Sequence, residues 1–203
     1  MKILLHAFLI SCACTAYISC MYLNLPADHY GIGGLFRFSP KSAQPLRQLA
    51  EILLHDASTL SRADRELIAS YVSYLNKCHF CCNSHSAIAT ALLHNDAALV
   101  EAIKQNPESA PISEKLKALL ALAHAVQQGG NTVTPEIIAR TRAAGATDQE
   151  IHDTVLIAAA FCLFNRYVDG LGAWIPENDI YTEIGTHIAE YGYLKEYTKC
   201  LIY

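Results

Sequence analysis

Charge is scarce in this chain. Only 17% of its 203 residues are Asp, Glu, Lys or Arg, and 15 cations face 19 anions, for a formal charge of −4. No basic stripe with interleaved aromatics is present, so nucleic acid is not an expected partner. Helix breakers are also few, at 7 Pro and 10 Gly. No strand-like alternation of apolar and polar residues stands out, so a sheet is not expected. The apolar run within residues 1–20 is too short and too interrupted to span a bilayer, and no membrane association is expected. What the chain has instead is a 52% hydrophobic share, rich in Ala, Leu and Ile in long stretches, which suits a packed helical protein rather than a disordered one.

The expected fold class is therefore all-α and single-domain. Residues 1–20 read as a signal-like segment, or as an extension preceding a start at Met21. Residues 21–40 contain Gly31, Gly33, Gly34 and two prolines and read as an extended arm. The helical domain is expected over 41–175, with a weaker helical tail over 176–203, interrupted by Gly185 and Gly192. Within the domain, Leu46, Leu49, Ile52 and Leu53 share one helical face. A second helix is capped by Ser61 and Asp64 as a capping box, carries Leu67, Ile68, Val72 and Leu75, and stops at a left-handed Asn76. The next helix is expected from about Cys78 to His94. Thr134–Pro135 and the Thr147/Glu150 capping box open two later ones.

Eight cysteines need sorting. Cys12, Cys14 and Cys20 lie in the first twenty residues, Cys162 sits in an apolar run as an ordinary buried thiol, and Cys200 stands alone. Cys78, Cys81 and Cys82 cluster with His79 and His85 in "NKCHFCCNSH". A helix-rich chain is not a secreted disulfide scaffold. A structural zinc site needs four ligands, commonly two pairs from separate segments, whereas one helix bearing Cys78, Cys81, Cys82 and His85 cannot enclose an ion. No metal or other cofactor is expected. At a helix start, Cys78 and Cys81 lie one turn apart, near the N–H groups that favour a thiolate, and close enough to bridge. His85, four residues beyond Cys81, shares its face and can share its proton. The pattern suits an activated nucleophile with a resolving partner.

At these residues the chain resembles a family. Glu66, twelve residues before Cys78, followed by Cys78-x-x-Cys81-x-x-x-His85, looks like the active-site signature of the alkylhydroperoxidase D-like, carboxymuconolactone decarboxylase superfamily. The flanking "LSRADRELIASYVSYLNKCHFCCNSHSAIA" and "FNRYVDGLG" are similar to its peroxidase-related branch, over about residues 21–175. The resemblance implies an AhpD-like all-helical subunit, with the CxxC at the N-terminus of a central helix, assembling as a homotrimer or homohexamer. It implies that Cys81 attacks a hydroperoxide, Cys78 resolves the sulfenic acid, and Glu66 with His85 relays protons. An external dithiol reductant or reductase protein would reopen the disulfide.

Two positions depart from the family pattern. Phe80 stands where the best-studied peroxidase members carry a His, and Cys82 is an additional thiol beside Cys81. Asn165 and Arg166 match a family feature and read as structural or site-lining, with Arg166 within reach of Asp169. The leading expectation is a cytoplasmic thiol peroxidase for organic hydroperoxides or hydrogen peroxide, exported or periplasmic if residues 1–20 are a true signal. The alternatives are a general disulfide oxidoreductase, a lactone decarboxylase (which has no evident need for a vicinal dithiol), and a redox-switched oligomeric binding module.

Overall fold

The computed structural model describes residues 22–25, 30–176 and 178–195. The expectations for residues 1–21, including Cys12, Cys14 and Cys20, and for Cys200 lie outside the described residues. Nine α-helices and no strand occur among the described residues. They are α1 (Gly31–Phe38), α2 (Pro40–Leu54), α3 (Arg62–Leu75), α4 (His79–Leu92), α5 (Ala97–Gln105), α6 (Glu114–Gln128), α7 (Pro135–Ala143), α8 (Asp148–Gly170) and α9 (Asn178–Tyr191).

The centre is the α3–α4 hairpin, with α6 and α8 packed on α3 and α9 lying along α4. Leu67, Ile68 and Val72 of α3 meet Leu119, Leu120 and Leu122 of α6 and Ile157 and Phe161 of α8, all 2% exposed or less. Burying such a side chain contributes about 1.5–3 kcal/mol each. By length and composition alone, α8 could cross a membrane. Here its apolar face, with Ile157, Ala158, Phe161 and Phe164, is core.

Local signals explain most helix starts. Ser61, Asp96, Ser113, Thr134 and Thr147 each accept a hydrogen bond from the backbone three residues on. Thr147 and Glu150 complete a capping box. Ser61 forms only half of one: Asp64 Oδ2 accepts from the Ser61 hydroxyl instead of reaching back to the backbone.

Several expectations are corrected. Gly31–Phe38 is a helix and not an extended arm, because Ile32, Leu35 and Phe36 bury against the core and outweigh the low helix propensity of three glycines. Gly31 is required at its position. Its φ is +51°, and a Cβ there would lie 2.0 Å from the Phe80 ring. The α3–α4 turn uses Lys77, at φ 59°, as its left-handed residue, while Asn76 stays right-handed and its side chain bridges α6 and α8. Ile52 is 55% exposed, and Leu54 takes the buried place on α2. The tail is not loosely organised up to residue 195, since Ile184, Ile188 and Tyr193 are buried. At Gly185, α9 approaches α4 so closely that a Cβ would lie 2.7 Å from the Ala87 carbonyl carbon.

Candidate functional site

The short turn between α3 and α4 folds the two helices against each other and brings Glu66 beside His85. Three polar contacts fix this corner. The Cys78 N–H donates to the Ser73 carbonyl (3.0 Å), Asn165 donates to the Ser73 hydroxyl (3.1 Å), and Asn76 donates to Asn165 (2.8 Å). Asn165, 1% exposed, is thus a structural pin. Arg166 does not pair with Asp169. It donates to the Cys162 carbonyl one turn back, at 2.8 Å. Cys162 is only half-buried, unlike the expectation, and accepts from Asn76 at 3.6 Å.

Glu66 is 2% exposed, and its Oε2 lies 2.7 Å from His85 Nδ1. A buried carboxylate needs such partners to remain charged. Its neighbour Arg65 is also buried and donates to the Leu53 and Asp56 carbonyls at 3.0 and 2.8 Å, which ties the α2–α3 connection to the start of α3. The His85 ring stands edge-on to Phe161, with centroids 4.5 Å apart. With Nδ1 engaged by Glu66, Nε2 is the ring nitrogen left for other partners.

Cys78 is the N-cap of α4, and Cys81 is its third helical residue. The helix begins one residue later than expected and ends at Leu92, before His94 and Asn95 turn left-handed at φ 55° and 72°. All three clustered cysteines are free and buried. Contact with the Cys81 thiol, followed by burial, pushes the ionisation of the Cys78 thiol far upward. The helix-terminal Cys81 N–H favours the Cys78 thiolate, but it is outweighed. Burial likewise pushes the Cys82 thiol up, against the Lys104 charge.

Cys81 and His85 line one small cavity of about 30 Å³, walled chiefly by Ile32, Phe36, Phe80 and Phe161. That is room for a very small molecule, since a cavity needs roughly 10–15 Å³ to hold one water. Phe80 forms part of this apolar wall, wedged between Gly31 and the Tyr181 ring (centroids 6.1 Å apart). Cys82 is absent from this wall and borders a separate groove with Lys77, His79 and Lys104. His79 is exposed, as expected. No three His, Cys, Asp or Glu side chains converge as a metal site among the described residues.

The structure therefore brings Glu66, His85 and Cys81 around one corner of α3 and α4, with Cys78 touching Cys81. It also adds a residue that the sequence did not single out. The Tyr193 hydroxyl, 3% exposed, donates to Glu66 Oε1 at 2.5 Å and lines the same cavity. The nearest sequence signal was Gly192, read as an interruption of the tail helix, which does not tie residue 193 to residue 66.

The carboxymuconolactone decarboxylase family model matches residues 40–107, from the start of α2 to just past α5, and so spans Glu66, Cys78, Cys81 and His85. No curated protein matches the chain. Among solved structures, an uncharacterized peroxidase-related protein from Silicibacter sp. TM1040 aligns with a TM-score of 0.67 at 24% identity, covering 74% of this chain and 78% of that one. An alkylhydroperoxidase AhpD core, an uncharacterized peroxidase-related protein from Ralstonia eutropha JMP134, also gives 0.67 at 24%, covering 75% and 79%. A protein of unknown function from Agrobacterium tumefaciens gives 0.63 at 22%, covering 70% and 96%. At these identities the likeness establishes a shared all-helical, AhpD-like fold.

Proposed function

Taking the carboxymuconolactone decarboxylase match over residues 40–107 and the AhpD-like fold as premise, we propose that the chain is a thiol-dependent peroxidase. The observation that carries this reading is one cavity bordered by Cys81 and His85, with His85 Nδ1 held at 2.7 Å by the buried Glu66 and with Cys78 against Cys81.

In this mechanism His85, polarised by Glu66, takes the Cys81 proton through Nε2. The thiolate attacks one peroxide oxygen, the O–O bond breaks, and His85 returns the proton to the departing alkoxide or hydroxide. Cys81 is left as a sulfenic acid. Cys78 then attacks that sulfur, water leaves, and a disulfide forms. An external dithiol or reductase protein restores both thiols by exchange. The upward-pushed Cys78 thiol fits a resolving role, because it does not compete as the nucleophile in the resting state. Phe80 supplies an apolar wall and no proton, so the relay rests on His85 and Glu66.

A cavity of about 30 Å³ is nearest in scale to hydrogen peroxide, whereas an organic hydroperoxide of any bulk requires the walls to part. Assembly as a homotrimer or homohexamer, which the family resemblance implies, stays part of this proposal, and Leu156 and Leu163, exposed on α8, are surface that a second copy could cover.

The test is peroxide consumption with dithiothreitol as donor, in the wild type and in Cys81→Ala. Turnover in the wild type that disappears in the variant supports the proposal. Untouched peroxide refutes it, and if a small-molecule disulfide is then reduced, the site belongs to a disulfide oxidoreductase.

A further inference from the structure

Tyr193 lies outside the proposed relay, yet it is the second hydrogen-bond donor to its carboxylate. Its hydroxyl holds Glu66 Oε1 at 2.5 Å while His85 Nδ1 holds Oε2 at 2.7 Å, and the hydroxyl is 3.4 Å from the same Nδ1. The backbone that carries it is clamped to α2. Gly192 turns at φ +78°, where a Cβ would stand 2.7 Å from both Glu51 carboxylate oxygens. The Tyr193 N–H then donates to Glu51 Oε2 at 2.5 Å, and Arg47 Nη2 donates to the Tyr193 carbonyl at 3.1 Å. One turn earlier, Arg62 donates to the Ala189 carbonyl at 3.2 Å. The end of α9 is thus fastened to α2 and α3 so that one phenol reaches Glu66.

We propose that Tyr193 is a positioning residue which, through Glu66, sets how tightly the Glu66–His85 pair holds its proton. A donor to a carboxylate oxygen stabilises the anion, and a buried oxygen without a donor attracts a proton more strongly. The charged and titratable groups around the pair are Arg47 from α2, Arg65 from α3, Cys81 from α4 and Tyr193 itself. Toward the cavity, α1 and α8 present only apolar side chains, Ile32, Phe36, Phe161 and Phe164. Removing the phenol hydroxyl therefore acts on a carboxylate whose Oε1 has no second neutral donor among the described residues.

The kinetic consequence rests on the peroxidase reading, but the proton affinity does not, and the two are measured separately. In full-length Tyr193→Phe, which keeps the ring and its packing, the His85 imidazole resonance is followed by NMR against pH, assigned by its loss in His85→Gln. The titration midpoint should move up by about half to one unit, since one unit corresponds to a 1.36 kcal/mol preference. The acid limb of single-turnover Cys81 oxidation by hydrogen peroxide should move with it. Glu51→Gln, which weakens the hold on the Tyr193 backbone and lets the phenol hydroxyl draw away from Glu66 without deleting it, should shift the midpoint in the same direction and decides the matter if Tyr193→Phe does not fold. An unchanged midpoint in the folded variants overturns the proposal. A shifted midpoint in a protein that never consumes peroxide leaves the role of Tyr193 standing and removes the peroxidase reading.

Discussion

Replacing Glu66 by Gln keeps the shape of the side chain and removes its charge at a site that is 2% exposed. The carboxylate accepts from His85 Nδ1 at 2.7 Å and from the Tyr193 hydroxyl at 2.5 Å. Gln offers one acceptor oxygen and one NH₂ donor, so it cannot serve both partners in the same way. If its oxygen keeps Tyr193, the amide nitrogen faces His85 Nδ1, which must then become the acceptor. The imidazole proton moves to Nε2, the nitrogen that has to receive the Cys81 proton, and the base is lost in that tautomer. If its oxygen keeps His85 instead, the tautomer survives but the negative charge that stabilises the imidazolium is gone. A hydrogen bond to a charged group is worth about 1.5–3 kcal/mol net, which at 1.36 kcal/mol per decade is roughly a 10- to 150-fold loss of rate. The assay is single-turnover formation of the Cys81 sulfenate, read by trapping after rapid mixing with hydrogen peroxide. A folded Glu66→Gln protein that oxidises within about twofold of the wild-type rate, far less than the loss of a charged hydrogen bond allows, would refute the relay.

Further expectations test the frame and the site. Thr147→Ala removes a full capping box from α8, the helix that supplies Phe161 and Asn165, and should cost about 1 kcal/mol in denaturant unfolding. Gly185→Ala forces a Cβ to within 2.7 Å of the α4 backbone at Ala87, and overpacking of this kind should cost about 1–3 kcal/mol with a matching drop in Tm. Asp169 is an exposed residue whose carboxyl is only partly shielded; that shielding pushes its ionisation upward, against a Cys78 hydrogen bond and the neighbouring His79, so that, with solvent screening keeping the effect small, it holds its proton more tightly folded than unfolded. Its stabilising contribution is thus present at low pH and lost as pH rises through the raised folded value, so Asp169→Asn should raise Tm at pH 7 and not in acid. Equal Tm differences at both pH values would contradict that assignment.

The helical character of the chain was readable because its determinants are local. The Leu67–Ile68–Val72 stripe and the Thr147–Glu150 cap need only their own neighbours in sequence. The pairing of Glu66 with His85 was legible only through the family resemblance of their spacing, since a lone Glu on a helix otherwise reads as a solvated charge. What escaped depends on contacts between distant segments. Gly31–Phe38 reads as a glycine-rich arm until Phe80 is known to lie on Gly31. Lys77 takes the left-handed turn because Asn76 is occupied with Gln127 and Asn165, from α6 and α8. Tyr193 reaches Glu66 only because Arg47 and Glu51 hold its backbone, and no periodicity encodes a contact across 127 residues of chain. The departure at Phe80 was legible as a residue, but its meaning as a cavity wall was not.

The central claim is that Cys81 and Cys78 form a redox couple driven by peroxide. The most direct test is intact-mass and peptide mapping after one equivalent of hydrogen peroxide. Wild-type protein should lose two hydrogens and yield a Cys78–Cys81 disulfide peptide, while Cys78→Ser should stop at a sulfenic acid on Cys81. An unchanged mass in the wild type, or a disulfide that forms equally well in Cys81→Ser through Cys82, would contradict the account.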